Sequence, residues 1–133
     1  MSETMNYFSK SCVSKHEYNM HKHVYDLRIV NIPKIISYDE ATQIMVMEKI
    51  NNMSVSDMYG EELKCVDKII IKKIRNIIKT LLKNNIIYPD ITGYNFIEYD
   101  KKIWIIDFEH ASLINPFINK FINGIKHWNL DFK

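Results

Sequence analysis

Three oxygen-bearing side chains stand close together late in the chain. Asp90 and Asn95 lie in Tyr88-Pro89-Asp90-Ile91-Thr92-Gly93-Tyr94-Asn95, and Asp107 follows Lys102-Ile103-Trp104-Ile105-Ile106. Between Asn95 and Asp107, Phe96-Ile97-Glu98-Tyr99 and Lys102–Ile106 read as two strands around an Asp100-Lys101 turn. A β-hairpin brings its two ends together. Asn95, just before the first strand, and Asp107, just after the second, are therefore expected side by side, with Asp90 near them on the loop. Two carboxylates and an amide converging at a strand edge form an oxygen-rich site suited to Mg²⁺, a hard cation. Each residue alone is ordinary turn chemistry, because Asp and Asn cap turns in every kind of protein. The arrangement as a whole points to a site.

The elements that position these residues can be traced backwards. Glu61–Asn85 is the strongest helical stretch: Val66, Ile70, Ile74, Ile77, Ile78 and Leu81 recur at helical spacing, with Lys68, Lys72, Arg75 and Lys79 on the other side. The simplest use of those cations is a solvated face. Asn51–Gly60 is polar and irregular, with room for one helical turn. Upstream, Ile32–Tyr38 and Gln43–Glu48 read as strands joined by Asp39-Glu40-Ala41-Thr42, a second hairpin. Pro33 ends whatever helix precedes it. That helix is expected over Lys15–Leu27, capped by Ser14, with Glu17 in its first turn and Tyr18, Met20, Val24 and Leu27 on its apolar face. Tyr7–Val13 reads as a short strand with Lys10 in its middle. A short helix around Phe117–Ile122 is expected in the tail, where Trp128 either packs back or serves as an anchor for a partner.

Composition removes several function classes. The 133 residues are 47% hydrophobic and 26% charged, the profile of one globular domain with a sizeable core. A net charge of +2 is no nucleic-acid footprint, and only three glycines, far apart, leave no Gly-rich phosphate loop. Cys12 and Cys65 belong to no C-x-x-C and are expected as buried or half-buried free thiols. The five histidines lack zinc spacing and read as ordinary surface or partly buried residues. No run spans a bilayer and the N-terminus is no signal peptide, so the expected setting is cytoplasmic or otherwise intracellular, with no membrane partner. Heavy use of Ile, Asn and Lys fits an AT-rich coding genome, viral ones included.

The order helix, Asp loop ending in Asn, hairpin, second Asp resembles the protein kinase-like superfamily. "IIYPDITGYNFI…WIIDFEHA" is similar above all to small divergent members, the Bud32-type and RIO-type kinases and the bacterial or fungal phosphotransferases. The resemblance implies an α+β fold of minimal kinase-like form, with a small antiparallel N-terminal sheet lacking the first strands and a reduced helical C-terminal lobe. It implies one domain over 1–133, divided near residue 50. It implies ATP and Mg²⁺ as cofactors, Asp90 at the catalytic-base position, and Asn95 and Asp107 as metal ligands. "IMVMEKI" resembles the strand leading to the nucleotide hinge, with main-chain groups of Glu48 to Ile50 facing an adenine. Lys10 and Glu17 then resemble the ATP-binding lysine and its glutamate partner.

The departures bear on activity. Tyr88 stands where a histidine is usual two residues before the Asp, and Glu109 follows Asp-Phe in place of Gly. Few residues precede Lys10, so the first strands and their phosphate-covering loop are expected to be absent, as is a long activation segment. Two readings stand: a phosphotransferase of Ser/Thr hydroxyls, and a weakly active or inactive pseudokinase serving as an interaction module. An unpaired N-terminal sheet edge is expected to favour a protein partner or a homodimer.

Overall fold

The computed structural model describes residues 6–113. The helix expected over Phe117–Ile122 and the role of Trp128 lie outside those residues. Strand β1 (Tyr7–Lys10) is shorter than its sequence stretch, so Lys10 ends the strand instead of standing in its middle. Beyond it Cys12 takes a left-handed φ of 59° and turns the chain toward helix α1 (Lys15–Leu27). This helix has the expected bounds, and Ser14 Oγ accepts the Glu17 amide at 3.1 Å, satisfying a first-turn N–H that the helix itself leaves free. Its buried residues are Glu17, Met20, His21 and Val24. A carboxylate and an imidazole thus take places the apolar pattern assigns to Tyr18 and Leu27, which are half-buried and exposed.

Strands β2 (Ile35–Asp39) and β3 (Ile44–Glu48) form the expected hairpin, and β1 joins them in an antiparallel sheet of order β1-β3-β2. Asp39 Oδ1 accepts the Ala41 amide at 3.0 Å and so shapes the turn. Alternation along β3 buries Met45 and Met47, which with Val13 make a small cluster of their own.

Ser54 caps the short helix α2 (Val55–Tyr59). It ends at Gly60, where φ is 125° and a Cβ would sit 2.8 Å from that of Cys65, so both backbone and space demand glycine. The long helix α3 (Lys68–Lys83) starts later than its pattern suggests. Asp67 accepts the Ile69 amide at 2.8 Å and sets the start there, leaving Leu63–Cys65 as a separate tight turn of 3-10 helix. Ile70, Ile71, Ile74, Ile78 and Leu81 are buried, each contributing roughly 1.5–3 kcal/mol. Lys68 and Lys72 are solvated as expected, whereas Arg75 and Lys79 are half-buried. Both cysteines are exposed, against expectation: Cys12 sits in the turn after β1 and Cys65 at the end of the 3-10 turn.

Strand β4 (Ile86–Ile87) leads into the Asp90 loop, and the hairpin of β5 (Phe96–Tyr99) and β6 (Lys102–Ile105) follows with Phe96 opposite Ile105. Asp100 and Lys101 have φ of 53° and 61°, the left-handed pair that a two-residue turn needs to match strand twist. A last short strand, β7 (Ser112–Leu113), returns to pair with β4. The main core draws Met20 and Val24 from α1, the α3 stripe, and Tyr88, Phe96, Ile103, Ile105 and Phe108. Asn31, after α1, accepts the Ile105 amide at 3.0 Å and ties the sheet region to the hairpin. Among the described residues no helix is long and apolar enough to cross a membrane.

Candidate active site

A cavity of about 400 Å³ opens between the small sheet and the β5–β6 hairpin. Met45, Met47, Ile50, Pro33, Ile97 and Ile106 give it apolar walls, and Lys10, Glu17, Asn95 and Asp107 meet in it. Lys10 Nζ lies 2.6 Å from Glu17 Oε2 and 3.4 Å from Asp107 Oδ1, so one ammonium spans β1, α1 and the end of the hairpin. Glu17 is 2% exposed and Lys10 27%. Burial works against the Lys10 ammonium, but the bond and charge of Glu17 together with Asp107 outweigh it and push its pKa up. Burial pushes the Glu17 carboxyl up as well, and the nearby Lys10 only partly offsets this.

Asn95 and Asp107 take their places from the hairpin, as the sequence predicts. The Ile106 amide donates to Asn95 O at 3.0 Å, which clamps the two ends of the hairpin together. Asn95 Nδ2 donates to Asp90 O at 2.9 Å, leaving Oδ1 as the acceptor end of its amide. Asp107 has φ of 67°, a left-handed conformation that Asp tolerates better than most residues. A carboxylate oxygen and an amide oxygen fit Mg²⁺, which usually keeps several waters and takes phosphate oxygens for the rest. Among the described residues no group of three or more His, Cys, Asp or Glu side chains gathers into a cage of its own.

The sequence pattern of the RIO domain matches residues 2–115. This chain belongs to the RIO domain family. It is 36% identical over 106 residues to "EKC/KEOPS complex subunit BUD32" of Enterocytozoon bieneusi, covering 71% of this chain and 50% of that one. In fold it is similar to the solved structure titled "Structure of the Cydia pomonella Granulovirus kinase, PK-1", with a TM-score of 0.65 at 17% identity, over 85% of this chain and 46% of the other. The chain therefore spans about half the length of each of these relatives. Together they make it a divergent protein kinase-like member of mixed α and β structure with small antiparallel sheets.

Within this RIO domain the structure brings together six of the seven residues singled out from sequence: Lys10, Glu17, Glu48, Ile50, Asn95 and Asp107 all line the cavity. The Glu48 side chain is engaged elsewhere, accepting the Lys34 amide at 2.9 Å, which suits a use of its main chain rather than its carboxylate. Asp90 is the exception. It is buried, 4% exposed, and is not among the lining residues; its Oδ2 lies 2.6 Å from His110 Nδ1. His110 is half-buried, in keeping with its sequence reading, and its Nδ1 meets that carboxylate.

Three further features escaped the sequence reading. His21 is buried, lines the cavity and donates from Nε2 to Pro33 O at 2.7 Å; burial pushes its pKa down. Its ring meets Phe108 edge-on at 5.6 Å, and Phe108 meets Tyr88 at 5.2 Å. Tyr88 in turn donates its hydroxyl to Ile106 O at 2.6 Å, so the residue that departs from the family pattern braces the segment carrying Asp107. The available signal was position: Glu17 and His21 are one helical turn apart and share a face.

Proposed function

We propose that this chain is the nucleotide-binding and catalytic-loop part of an ATP- and Mg²⁺-dependent phosphotransferase acting on hydroxyls of the Ser/Thr class. The observation that carries the reading is the convergence of Lys10, Asn95 and Asp107, from three separate elements, in one apolar-walled cavity. The apolar walls suit an adenine, with the main chain of Glu48 to Ile50 reading its edge. The Lys10 ammonium, held by Glu17, would bind nucleotide phosphate oxygens. Asn95 Oδ1 and the Asp107 carboxylate would hold Mg²⁺, which when bound neutralises charge on the phosphates. In the transfer, the acceptor oxygen bonds to the γ-phosphorus as the bond to the bridging oxygen of ADP breaks. The hydroxyl proton passes to Asp90. Most of the rate comes from positioning and charge rather than covalent chemistry, which is what this set of residues supplies.

A second reading is favoured by one observation: Asp90 is buried and engaged by His110 instead of lining the cavity. In that reading the chain binds nucleotide as an interaction module and transfers little or nothing.

Calorimetry of ATP with and without Mg²⁺, on wild type and Asp107→Asn, tests the shared part of both. Asn suits the left-handed φ at this position, so the variant should fold. Metal-dependent binding weakened by about tenfold or more in Asp107→Asn is expected. No binding at millimolar ATP would defeat both, and γ-phosphate transfer separates them.

A further inference from the structure

We propose that His110 is a positioning residue for Asp90, fixing its carboxylate through Oδ2 for the phosphoryl acceptor. The inference rests on the phosphotransferase reading above. A buried carboxylate is costly without donors, and His110 Nδ1, 2.6 Å from Oδ2, is a strong one. The main chain of Asp90 is already fixed, because its carbonyl accepts from Asn95 Nδ2 and from the Thr92 amide, both at 2.9 Å. The imidazole holds the carboxylate itself, through Oδ2.

The imidazole is itself delivered by an anchored segment. Ala111 donates its amide to Phe108 O at 3.2 Å, and His16 of α1 donates from Nε2 to Ala111 O at 2.6 Å. The chain then runs into β7, which pairs with β4, the strand that leads into the Asp90 loop. Both partners of the bond thus hang from the same two-stranded pair. An incidental surface histidine would have neither anchor.

One consequence is a dependence on pH. Among the described residues, the charged or titratable groups around His110 are Asp90 from the loop, Glu109 with Oε1 4.0 Å from Nε2, Asp107 beyond it, and His16 on α1 at the neighbouring carbonyl. Burial opposes the imidazolium, but the bond and charge of Asp90, helped by Glu109 and Asp107, outweigh it and raise the pKa above 6.5. Loss of the Nε2 proton leaves the Nδ1–H donating while removing the positive charge that weakens Asp90 as a base. Transfer is therefore expected to rise with pH through the raised value, with Asp90 held in place throughout.

The test has a kinetic arm and a binding-free arm. The kinetic arm measures γ-phosphate transfer to casein and to the chain itself across pH, for wild type, His110→Ala and His110→Asn. His110→Ala should lower kcat by about 10- to 100-fold with KM for ATP unchanged. His110→Asn, which keeps an N–H donor and does not titrate, should recover much of kcat and lose the inflection. The second arm follows the His110 ring by NMR titration in wild type and in Asp90→Asn, where its pKa should fall back toward 6.5. Wild-type kcat in His110→Ala, or a His110 titration indifferent to Asp90→Asn, would overturn the inference and leave the phosphotransferase reading standing. A wild type that binds Mg²⁺-ATP and transfers nothing removes that reading, and this inference with it.

Discussion

In the sheet region, β1, β3 and β2 share a small core of Val13, Met45 and Met47, and Lys10, which faces the cavity from β1, is held by a buried carboxylate on a neighbouring helix. In the loop and hairpin region the core is the large cluster beneath α3, and Asn95 and Asp107 are placed by main-chain hydrogen bonds and by a left-handed φ. The sheet region therefore holds its chemistry through a side-chain pair, and the hairpin region through the backbone. Removing a side chain from the first should damage both fold and function. Removing a supporting side chain from the second should leave Asn95 and Asp107 in place.

Lys10→Met offers the sharpest contrast, and the largest expected effect. It strands the Glu17 carboxylate, 2% exposed, without its partner. Breaking a buried pair from one side leaves an uncompensated charge, and with Lys10 itself partly solvated the expected loss is about 2 kcal/mol. Urea denaturation reads that loss, and calorimetry reads the loss of ATP affinity. Adding Glu17→Leu to Lys10→Met should restore most of the stability and none of the affinity. A Lys10→Met single variant as stable as wild type would show that the sheet region is held by something other than this pair.

Tyr88→Phe probes the hairpin side more gently. The ring contacts with Phe96 and Phe108 remain, and the lost hydroxyl leaves Ile106 O without its 2.6 Å bond. The expected cost is about 1 kcal/mol with little change in Mg²⁺-ATP affinity, because main-chain bonds keep the hairpin ends together. A large loss of affinity would mean that Tyr88, and not the backbone, positions Asp107.

The same contrast explains which features were legible in the sequence. Ser14 capping α1, the Asp39 turn, both hairpins and the placing of Asn95 beside Asp107 are local consequences of residue type and periodicity, and each stands where its residues predict it. The start of α3 was less legible, because Asp67 competes as a cap inside a run that is apolar enough to continue. The exposure of Leu27 and of the two cysteines depends on what packs nearby. So does the burial of Glu17, His21 and Asp90. The His110–Asp90 bond joins residues from the two flanks of a hairpin through the β4–β7 pairing, and two dipeptide strands carry too little pattern to announce themselves.

The smallest effect is also the one that separates the two regions by sign. His21 lies among the sheet, α1 and Phe108, and burial, reinforced by Lys10, holds its pKa below 6.5 despite the bond to Pro33 O. Its folded state favours the neutral ring, so the stability it gives is complete above about pH 6.5 and declines as pH falls from there toward the lowered value. The slope can reach at most about 1.4 kcal/mol per pH unit, the limit for one proton. His110, in the loop region, has its pKa raised and acts in the opposite sense. Its contribution is complete below about pH 6.5 and is lost as pH rises through the raised value. Urea midpoints between about pH 5 and 8 for wild type, His21→Asn and His110→Asn resolve the two. His21→Asn should flatten the acid side, and His110→Asn should flatten the neutral side while leaving the acid side as it is. Identical profiles in all three would mean that neither ring changes its protonation on folding, and that geometry alone accounts for both histidines.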